Sequence, residues 1–587
     1  MAIGWAEIQQ WDPANLNTTS QNLSTARSTL RTEAQDASGA KGRIQSTGAA
    51  VNAMSSSLGS LNSGLDKLVN DVSELMMATA DAADGVWDVQ TKVQECTSFV
   101  ATYTYLSISA EGSVDYEVVV PDTPAPNGES RDPKSCQAEN AARNLKKGEL
   151  EALIKAAIDR AVEVDDAYRN RLTAVHNGTY QCSETSASES QGLPDLPQEG
   201  WSATEVSAWW NSLTEDEKNK IIAEHPEAIG NLDGISMDAR GKANEIRLQT
   251  ERTKAAEELA AAEAARDKWD MNSPEYAAAQ QKVDNARLKV EDLEKIEELM
   301  HPYGDPMASD GLPESPYHLL YLDASGDGDV RAAISVGDVD TAENVTTLVP
   351  GISTTARKGL PGLVSNAEAL RDAAGAENTA AVAWLGYDAP PGLGEISDDY
   401  KGHQWEYMNA NRADEAAPAL NSFHEGIHSW HQSQGTDPHL TTVDHSYGSL
   451  TAGTAALSTK TGVVDDMVLY GSPGGRATDV HQYNVPEGHV YASANDDDVV
   501  AGKGTGWKNK ALGKALGAGE EAAGLGEKPH NMSGVTHISS DERGHSDYWD
   551  NPEFVEDVSQ ITAGENPETN RPDNQAAAAG AKKTAAE

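Results

Sequence analysis

Apolar residues change their spacing along the chain near residue 300. Before this point they recur every three or four positions, as at Leu61, Leu65 and Leu68, which is the spacing of amphipathic helices. After it, short runs rich in Val, Ile, Leu and Tyr stand between turn residues, and such runs predict strands. The pattern predicts an α-helical N-terminal half, built as a helical bundle or as coiled-coil hairpins. A half in which strands and helices alternate follows it.

The clearest helices of the first half lie between residues 241 and 300. Ser273 is suited to cap a helix, Pro274 to fill its first turn and Glu275 to interact with the helix dipole. Beyond this cap, apolar residues repeat at the spacing of a coiled-coil seam: Val283, Ala286, Val290 and Leu293. We expect an antiparallel helical hairpin whose apolar stripe packs within the chain rather than against a partner.

The second half contains a series of short apolar runs that predict strands. They are 317–324, 331–338, 344–351, 379–387, 440–446, 465–473, 489–496 and 536–540. The first two flank a Ser-Gly-Asp-Gly turn and should pair as an antiparallel hairpin at one edge of a sheet. The later runs alternate with helices, which indicates a mostly parallel sheet covered on both faces.

Polar stretches rich in Pro, Gly and Ser predict the boundaries between domains. Residues 121–133 and 181–200 are typical of exposed linkers, and 556–587 has the composition of a disordered tail. The predicted domains are a helical domain over 1–200, a helical bridging segment with the hairpin over 201–300, an alternating strand and helix domain over 301–555, and the tail.

The charge balance is strongly acidic, with 93 Asp and Glu against 45 Lys and Arg and a formal net charge of -48. Nucleic acids and anionic lipids are bound by cationic surfaces, so this charge argues against both as partners. Three cysteines (Cys96, Cys136 and Cys182) are too few for a disulfide scaffold and lack metal-site spacing. No Sec-type signal peptide and no long apolar stretch is visible, so we expect a soluble protein without a membrane span.

The segment around Ser446 carries the strongest chemical signal. A predicted strand runs through Asp444 and His445 into Ser446, and Tyr447, Gly448 and an Ala- and Leu-rich helix follow. This order of strand, serine and helix is typical of a nucleophile elbow, in which a strained turn projects the serine from the carboxyl edge of the sheet. Asp444 occupies the position of the first glycine in the usual G-x-S-x-G pattern.

A nucleophilic serine needs a histidine base and an acid that orients it, in the chain order serine, acid, histidine. The strand at 489–496 leads into three consecutive acids, of which we favour Asp497 and keep Asp496 and Asp498 as alternatives. His545 lies on a loop just beyond the last predicted strand and is preferred as the base to His537, which lies within that strand.

Two backbone N–H groups are expected to stabilise an oxyanion. The first belongs to Tyr447, directly after the serine and at the N-terminus of a helix. The second is assigned to Ile352 in the loop after the third strand of this half, where Gly351 permits the turn.

Several further motifs resemble those of a family of actinobacterial α/β-hydrolases that was long catalogued as a domain of unknown function. They are 208–214 with 225–235 ahead of the sheet, followed by 320–323, 337–351, 382–391, 445–453, 465–474 and 544–550. The resemblance covers about 200–555 and implies an α/β-hydrolase fold with a triad at Ser446, Asp497 and His545. Asp444 departs from the glycine usual in the family.

The segment 11–23 resembles the helical WXG-type (Esx-like) module that often precedes this hydrolase, although a clear W-x-G turn is missing. The resemblance implies a helical partner or self-association through the N-terminal half. It also implies either a cytoplasmic location or export by a non-Sec, type VII-like route.

Two metal-binding patterns compete with this interpretation. His424, Glu425 and His428 form an H-E-x-x-H, the zinc pattern of metalloproteases, with His431 one turn further on. We interpret this segment instead as the polar outer face of a helix before the nucleophile strand. The acidic loop from Asp323 has Ile334 where a calcium loop needs Glu, so an EF-hand is excluded.

The sequence therefore predicts a serine hydrolase, of the esterase or lipase type, that cleaves a small acyl-ester substrate through an acyl-enzyme. An amide substrate is less favoured, and no cofactor or metal is expected. The alternative is an interaction or effector protein associated with type VII secretion, in which the hydrolase fold is catalytically silent.

Overall fold

The computed structural model describes residues 3–44, 46–121, 132–180, 196–198, 200–301, 316–326, 329–391, 409–502 and 524–567. The chain forms two compact units, Met1–Thr214 and Glu215–Glu587. The predicted bridging segment 201–300 is therefore divided between the units, and its boundary at residue 200 is wrong. Most residues of the two predicted linkers, and Cys182, lie outside the described residues.

The first unit is a helical bundle, as predicted. Its described elements are α1 (Trp5–Ile8), α2 (Ala14–Gly42), α3 (Ala49–Thr102), β1 (Leu106–Ile108), β2 (Val114–Tyr116), α4 (Pro133–Asn177) and α5 (Ala203–Asn211). The long helix α3 packs against both α2 and α4, and one end of the bundle buries Trp5, Ile8, Val89 and Ile154. The antiparallel hairpin of β1 and β2 was not predicted, because its three-residue strands are too short to show a period of two.

Helix α5 belongs to the first unit because its tryptophans and its C-terminal cap are buried there. Ser202 and Glu205 form a capping box at its start, and Trp209 and Trp210 are buried. The buried guanidinium of Arg27 in α2 donates a hydrogen bond of 3.1 Å to the carbonyl oxygen of Ser212. Removing α5 from the bundle would take this acceptor away from the buried guanidinium, whose Nε also donates to the hydroxyl of Ser73.

The second unit is built on a mostly parallel sheet, of which the described residues form eight strands. These are β3 (Tyr317–Asp323), β4 (Arg331–Val336), β5 (Asn344–Val349), β6 (Thr379–Leu385), β7 (His439–His445), β8 (Asp466–Tyr470), β9 (Val490–Ser493) and β10 (Thr536–His537). Their order is β10-β9-β8-β7-β5-β6-β4-β3, and only the β3–β4 and β4–β6 pairs are antiparallel. The predicted strands and the edge hairpin are thus confirmed.

Helices cover the sheet of the second unit. They are α6 (Glu215–Glu224), α7 (Pro226–Ile229), α8 (Met237–Arg266), α9 (Pro274–Met300), α10 (Leu360–Gly375), α11 (Asn411–Gln434), α12 (Tyr447–Ala456) and α13 (Pro552–Thr562). Apolar residues of α8, α9, α10 and α13 share one core with alternate residues of the strands, whereas α12 packs on β7 and β5. None of the helices in the described part of the chain is long and apolar enough to cross a membrane.

Helices α8 and α9 form the predicted antiparallel hairpin. The side chain of Ser273 accepts the N–H of Tyr276 and so caps α9, as its sequence indicated. Glu258 pairs with Lys289, whereas Glu297 near the end of α9 pairs back to Arg252, so the two helices run in opposite directions. The hairpin packs within the second unit, because Leu248, Leu293 and Met300 lie in the core of the sheet.

The predicted start of the disordered tail at residue 556 is wrong. Helix α13 continues to Thr562, and its Phe554, Val558 and Ile561 are fully buried in the core of the sheet. Their spacing of four and three residues places them on one face of the helix. Residues 568–587 lie outside the described residues.

We predict that Asp292→Ala destabilises the second unit by about 3–5 kcal/mol, the usual cost of breaking a buried ion pair. Asp292 of α9 is fully buried and accepts hydrogen bonds from the N–H of Val330, the N–H of Arg357 and the Arg357 guanidinium. In the alanine variant, the guanidinium of Arg357 loses its buried partner Asp292 and keeps Asp329. Urea denaturation gives the free energy of unfolding. The control Asp284→Ala removes an exposed carboxylate of the same helix and should cost less than about 1 kcal/mol.

Candidate active site

The turn between β7 and α12 has the geometry of a nucleophile elbow. Ser446 adopts φ 54° and ψ −121°, one of three positive φ values among the described non-glycine residues. This left-handed conformation is strained for a residue with a Cβ, so it persists only where the surroundings enforce it. The predicted elbow therefore forms even though Asp444 replaces the usual glycine.

Two glycines let the backbone approach Ser446 closely enough to enforce this turn. A Cβ on Gly448 would lie 2.4 Å from the carbonyl oxygen of Val349 and 2.6 Å from that of Pro350. A Cβ on Gly351 would lie 2.7 Å from the Cβ of Ser446. All three distances are shorter than real Cβ contacts, so only glycine at these two positions allows the loop after β5 to lie against the serine.

His545 is in hydrogen-bond contact with Ser446, as the sequence predicted. Its Nε2 lies 2.9 Å from the Oγ of Ser446, and its Nδ1 lies 3.0 Å from both carboxylate oxygens of Asp498. Because a carboxylate only accepts, the Nδ1 carries the proton and the Nε2 is free to accept the hydroxyl proton of the serine.

The acid that meets His545 is Asp498, and the preference for Asp497 is wrong. Asp498 is fully buried, whereas Asp496 and Asp497 are exposed. The carboxylate of Asp498 also accepts hydrogen bonds from the N–H groups of Val500 and Ala501, at 2.9 and 3.0 Å. This local turn directs the third acid of the run toward the histidine.

Tyr548 completes the surroundings of Asp498 and was not predicted as a site residue. Its hydroxyl donates to Asp498 Oδ2 at 2.8 Å and accepts the N–H of Asn495 at 2.9 Å. Burial by itself would raise the pKa of Asp498, but the hydrogen bonds from His545, Ala501 and Tyr548 bring that pKa below its usual value. The carboxylate is thus ionised at neutral pH and can orient an imidazole.

The two backbone N–H groups predicted for the oxyanion lie next to Ser446. Tyr447 is the first residue of α12, and Ile352 follows the glycine that touches the serine. Neither N–H has an acceptor among the described residues. Two hydrogen bonds fix the loop that carries Ile352. The Tyr387 hydroxyl donates to the carbonyl oxygen of Pro350 at 2.6 Å, and the N–H of Ser353 donates to the carbonyl oxygen of Pro390.

Asp444 is accommodated as a buried acid. Its Oδ1 is 2.8 Å from the hydroxyl of Thr442, and its Oδ2 has no hydrogen-bond partner among the described residues. Burial without a cation raises the pKa of Asp444 well above its usual value. This shift favours the protonated, neutral form of Asp444 in the elbow.

The H-E-x-x-H segment lies in α11, and its interpretation as a polar outer face is wrong. His424, His428 and His431 are buried, and burial lowers the pKa of His424 and that of His428 to about 3. Glu425 pairs with Lys460 and accepts from Asn421, and His431 bonds the carbonyl oxygen of Val339. Within the described ranges, no three His, Cys, Asp or Glu side chains converge to hold a metal ion.

Comparison with known proteins places this site in a family. Residues 325–505 match the family model described as Alpha/beta hydrolase (Abhydrolase_8), a range that contains Ser446 and Asp498 and ends before His545. The chain is 34% identical over 233 residues to the uncharacterized proteins Rv0963c of Mycobacterium tuberculosis and Mb0988c of Mycobacterium bovis. That match covers 38% of this chain and 76% of each relative.

The longer relative Rv2079 of Mycobacterium tuberculosis, also uncharacterized, is 30% identical over 314 residues. The match covers 52% of this chain and 45% of that protein, so the chain spans less than half of its length. No solved structure matches the chain significantly.

We predict that His424→Leu makes the free energy of unfolding less dependent on pH in the acid range. Because the pKa of His424 falls from 6.5 to about 3 on burial, the unfolded chain takes up a proton below pH 6.5 that the native state does not. Native stability is therefore lost as the pH falls from about 6.5 to 3, at about 1.4 kcal/mol per pH unit for this one group.

Between pH 7.5 and pH 5, the free energy of unfolding of the wild type should thus fall by about 2 kcal/mol more than that of the variant. Urea denaturation at the two pH values measures both quantities. Parallel losses in the two proteins would show that His424 protonates equally in both states.

Proposed function

The chain belongs to this alpha/beta hydrolase family, and on that premise we propose that it is a serine hydrolase that cleaves an acyl ester. The observation that carries the proposal is the continuous line of hydrogen bonds from Ser446 Oγ through His545 to the buried carboxylate of Asp498. A hydroxyl, an imidazole and a carboxylate in this order are the parts that turn serine into a nucleophile.

In the proposed reaction, Ser446 Oγ attacks the carbonyl carbon of the ester while His545 Nε2 takes the hydroxyl proton. The imidazolium that forms is stabilised by Asp498, which stays ionised and keeps the ring in the required tautomer. His545 then gives the proton to the departing alcohol, which leaves an acyl group on Ser446. Water then attacks the acyl carbon while His545 takes one of its protons, and His545 returns that proton to Ser446 Oγ as the bond to the acyl group breaks and the acid is released.

The N–H groups of Tyr447 and Ile352 are proposed to stabilise the oxyanion of each tetrahedral intermediate. Both lie beside Ser446, and neither donates to another described residue, so both are available to a substrate oxygen. One such donor typically accounts for about 10²–10³-fold in rate. The proposal needs no cofactor, and we favour an ester because an alcohol leaves more readily than an amine.

For the first unit we propose a separate role as a helical, Esx-like module that binds a helical partner or a second copy of the chain. Its support is the bundle of α2, α3 and α4 together with the resemblance of 11–23. If this were the only activity, the second unit would be a catalytically silent fold, and no serine-dependent turnover would be found.

We predict that a fluorophosphonate probe labels Ser446 and that Ser446→Ala abolishes both labelling and turnover of a short p-nitrophenyl ester. The loss in kcat should be about 10³-fold or greater, since the nucleophile is removed. Peptide mass spectrometry identifies the labelled residue. Undiminished labelling of the alanine variant would assign the reactive group elsewhere, and a wild type without labelling or turnover would favour the silent fold.

We predict that Asp498→Asn lowers kcat by about 10³–10⁴-fold, because an amide cannot fix the tautomer or stabilise the imidazolium. Asp497→Asn is the matched control, since it changes the preceding, exposed carboxylate in the same turn. It should leave kcat within about twofold of the wild type. Steady-state kinetics on the p-nitrophenyl ester measures both, and an equal effect of the two substitutions would reject Asp498 as the orienting acid.

A further inference from the structure

His445, the residue before the proposed nucleophile, contacts both the backbone and the ring of His545. Its Nε2 lies 2.9 Å from the backbone carbonyl oxygen of His545. Its ring centre is 4.7 Å from that of His545 and 4.9 Å from that of Tyr470, on which it stacks at 29°. The side chain therefore fills the space between β8 and the loop that carries the base.

The contact with a carbonyl oxygen fixes the proton on His445. A carbonyl oxygen only accepts hydrogen bonds, so the Nε2 of His445 carries hydrogen and donates it. Burial, together with the nearby His545, lowers the pKa of His445 to about 3, so its ring is neutral at physiological pH. The other titratable groups that face it are Asp498, Tyr470 and Tyr548.

We propose that His445 is a positioning residue for the reaction: by donating its Nε2–H to the His545 carbonyl, it sets the distance between His545 Nε2 and Ser446 Oγ. This inference rests on the proposed serine hydrolase function. His445 and Ser446 are adjacent in the chain, so the residue that holds His545 and the proposed nucleophile both lie at the end of β7. If this end of the strand moves, Ser446 Oγ and His545 Nε2 therefore move together.

The hydrogen bond from His445 is important because His545 lies on a loop rather than in a helix or strand. Residues 538–547 form neither helix nor strand, and they connect β10 to the short 3-10 helix Tyr548–Asp550. Asn495 holds the loop at Gly544 and at Asp541, but both contacts precede His545. The bond from His445 acts on the backbone of the base itself, where a shift of about 1 Å is enough to cost about 10²-fold in rate.

The neutrality of His445 also suits the charge change in the reaction. His545 becomes positive when it accepts the serine proton, and its ring then faces His445 at 4.7 Å. A neutral ring does not oppose that charge, whereas a protonated one would repel it. Gly471, at φ 59°, leaves room for this arrangement, since a Cβ there would lie 3.2 Å from both Cδ2 and Nε2 of His445.

The test compares His445→Gln with His445→Leu, measured as kcat and KM per active site titrated with the fluorophosphonate. Glutamine keeps an N–H that can reach the carbonyl and should retain kcat within about threefold. Leucine keeps the packing against Tyr470 but loses the donor, so kcat should fall by about 10–100-fold with KM within about twofold. A role in packing alone predicts the reverse order, and that order, or equal values for the two variants, would overturn the proposal.

His439→Leu is the matched control, because His439 lies at the other end of β7 and also contacts a backbone carbonyl, that of Ile561. Its kcat per titrated site should equal that of the wild type. A loss equal to that of His445→Leu would mean that any defect in the strand suppresses turnover, and it would refute the specific role of His445.

A readout independent of turnover separates this inference from the proposed function. In ¹⁵N-histidine-labelled full-length protein, the ring signal that disappears in His445→Leu should show an Nε2–H neutral tautomer from pH 5 to pH 9. A ring that titrates in this range, or that carries hydrogen only on Nδ1, contradicts the inference even if Ser446 is active. If the predicted tautomer were found in a protein that the fluorophosphonate does not label, the hydrogen bond from His445 to His545 would be supported and the proposed serine hydrolase function would be rejected.

Discussion

The left-handed turn at Ser446 is the constraint on which the rest of the site depends. A serine does not adopt φ 54° by itself, and the strain of such a residue is of the order of 1–3 kcal/mol. Gly351 and Gly448 offset it by allowing the loop after β5 and the start of α12 to meet at the serine. Tyr447 directly follows Ser446 and Ile352 directly follows Gly351, so the proposed nucleophile and both proposed oxyanion donors depend on this one turn.

Burial acts differently on each titratable group near this turn, and hydrogen bonds decide the outcome. Asp498 has donors on both of its oxygens and remains a carboxylate. Asp444 has one hydrogen-bond partner among the described residues, the hydroxyl of Thr442, and burial raises its pKa. His445 is neutral because burial lowers its pKa. The carboxylate of Asp498 contacts the Nδ1 of His545, where it can stabilise an imidazolium.

The sequence predicted the strands, the edge hairpin and the contact of Ser446 with His545, because periodicity and chain order report these directly. It did not distinguish Asp498 from Asp497, since three adjacent acids look alike until a turn buries one of them. The buried histidines of α11 were misjudged because polarity suggested exposure, whereas the helix packs on that side. Tyr548 and His445 contact residues that are about 50 and 100 positions away in the chain, and local sequence patterns do not record such contacts.

We propose that one serine, one imidazole and two backbone N–H groups converge on a single substrate carbonyl. A crystal structure of the protein after reaction with a short-chain phosphonate, whose P–O group mimics the oxyanion, tests it most directly. We expect phosphorus bonded to Ser446 Oγ, with the phosphoryl oxygen within about 3 Å of the Tyr447 and Ile352 nitrogens and with His545 beside the adduct. Phosphorus on another residue, or a phosphoryl oxygen directed away from both nitrogens, would contradict it.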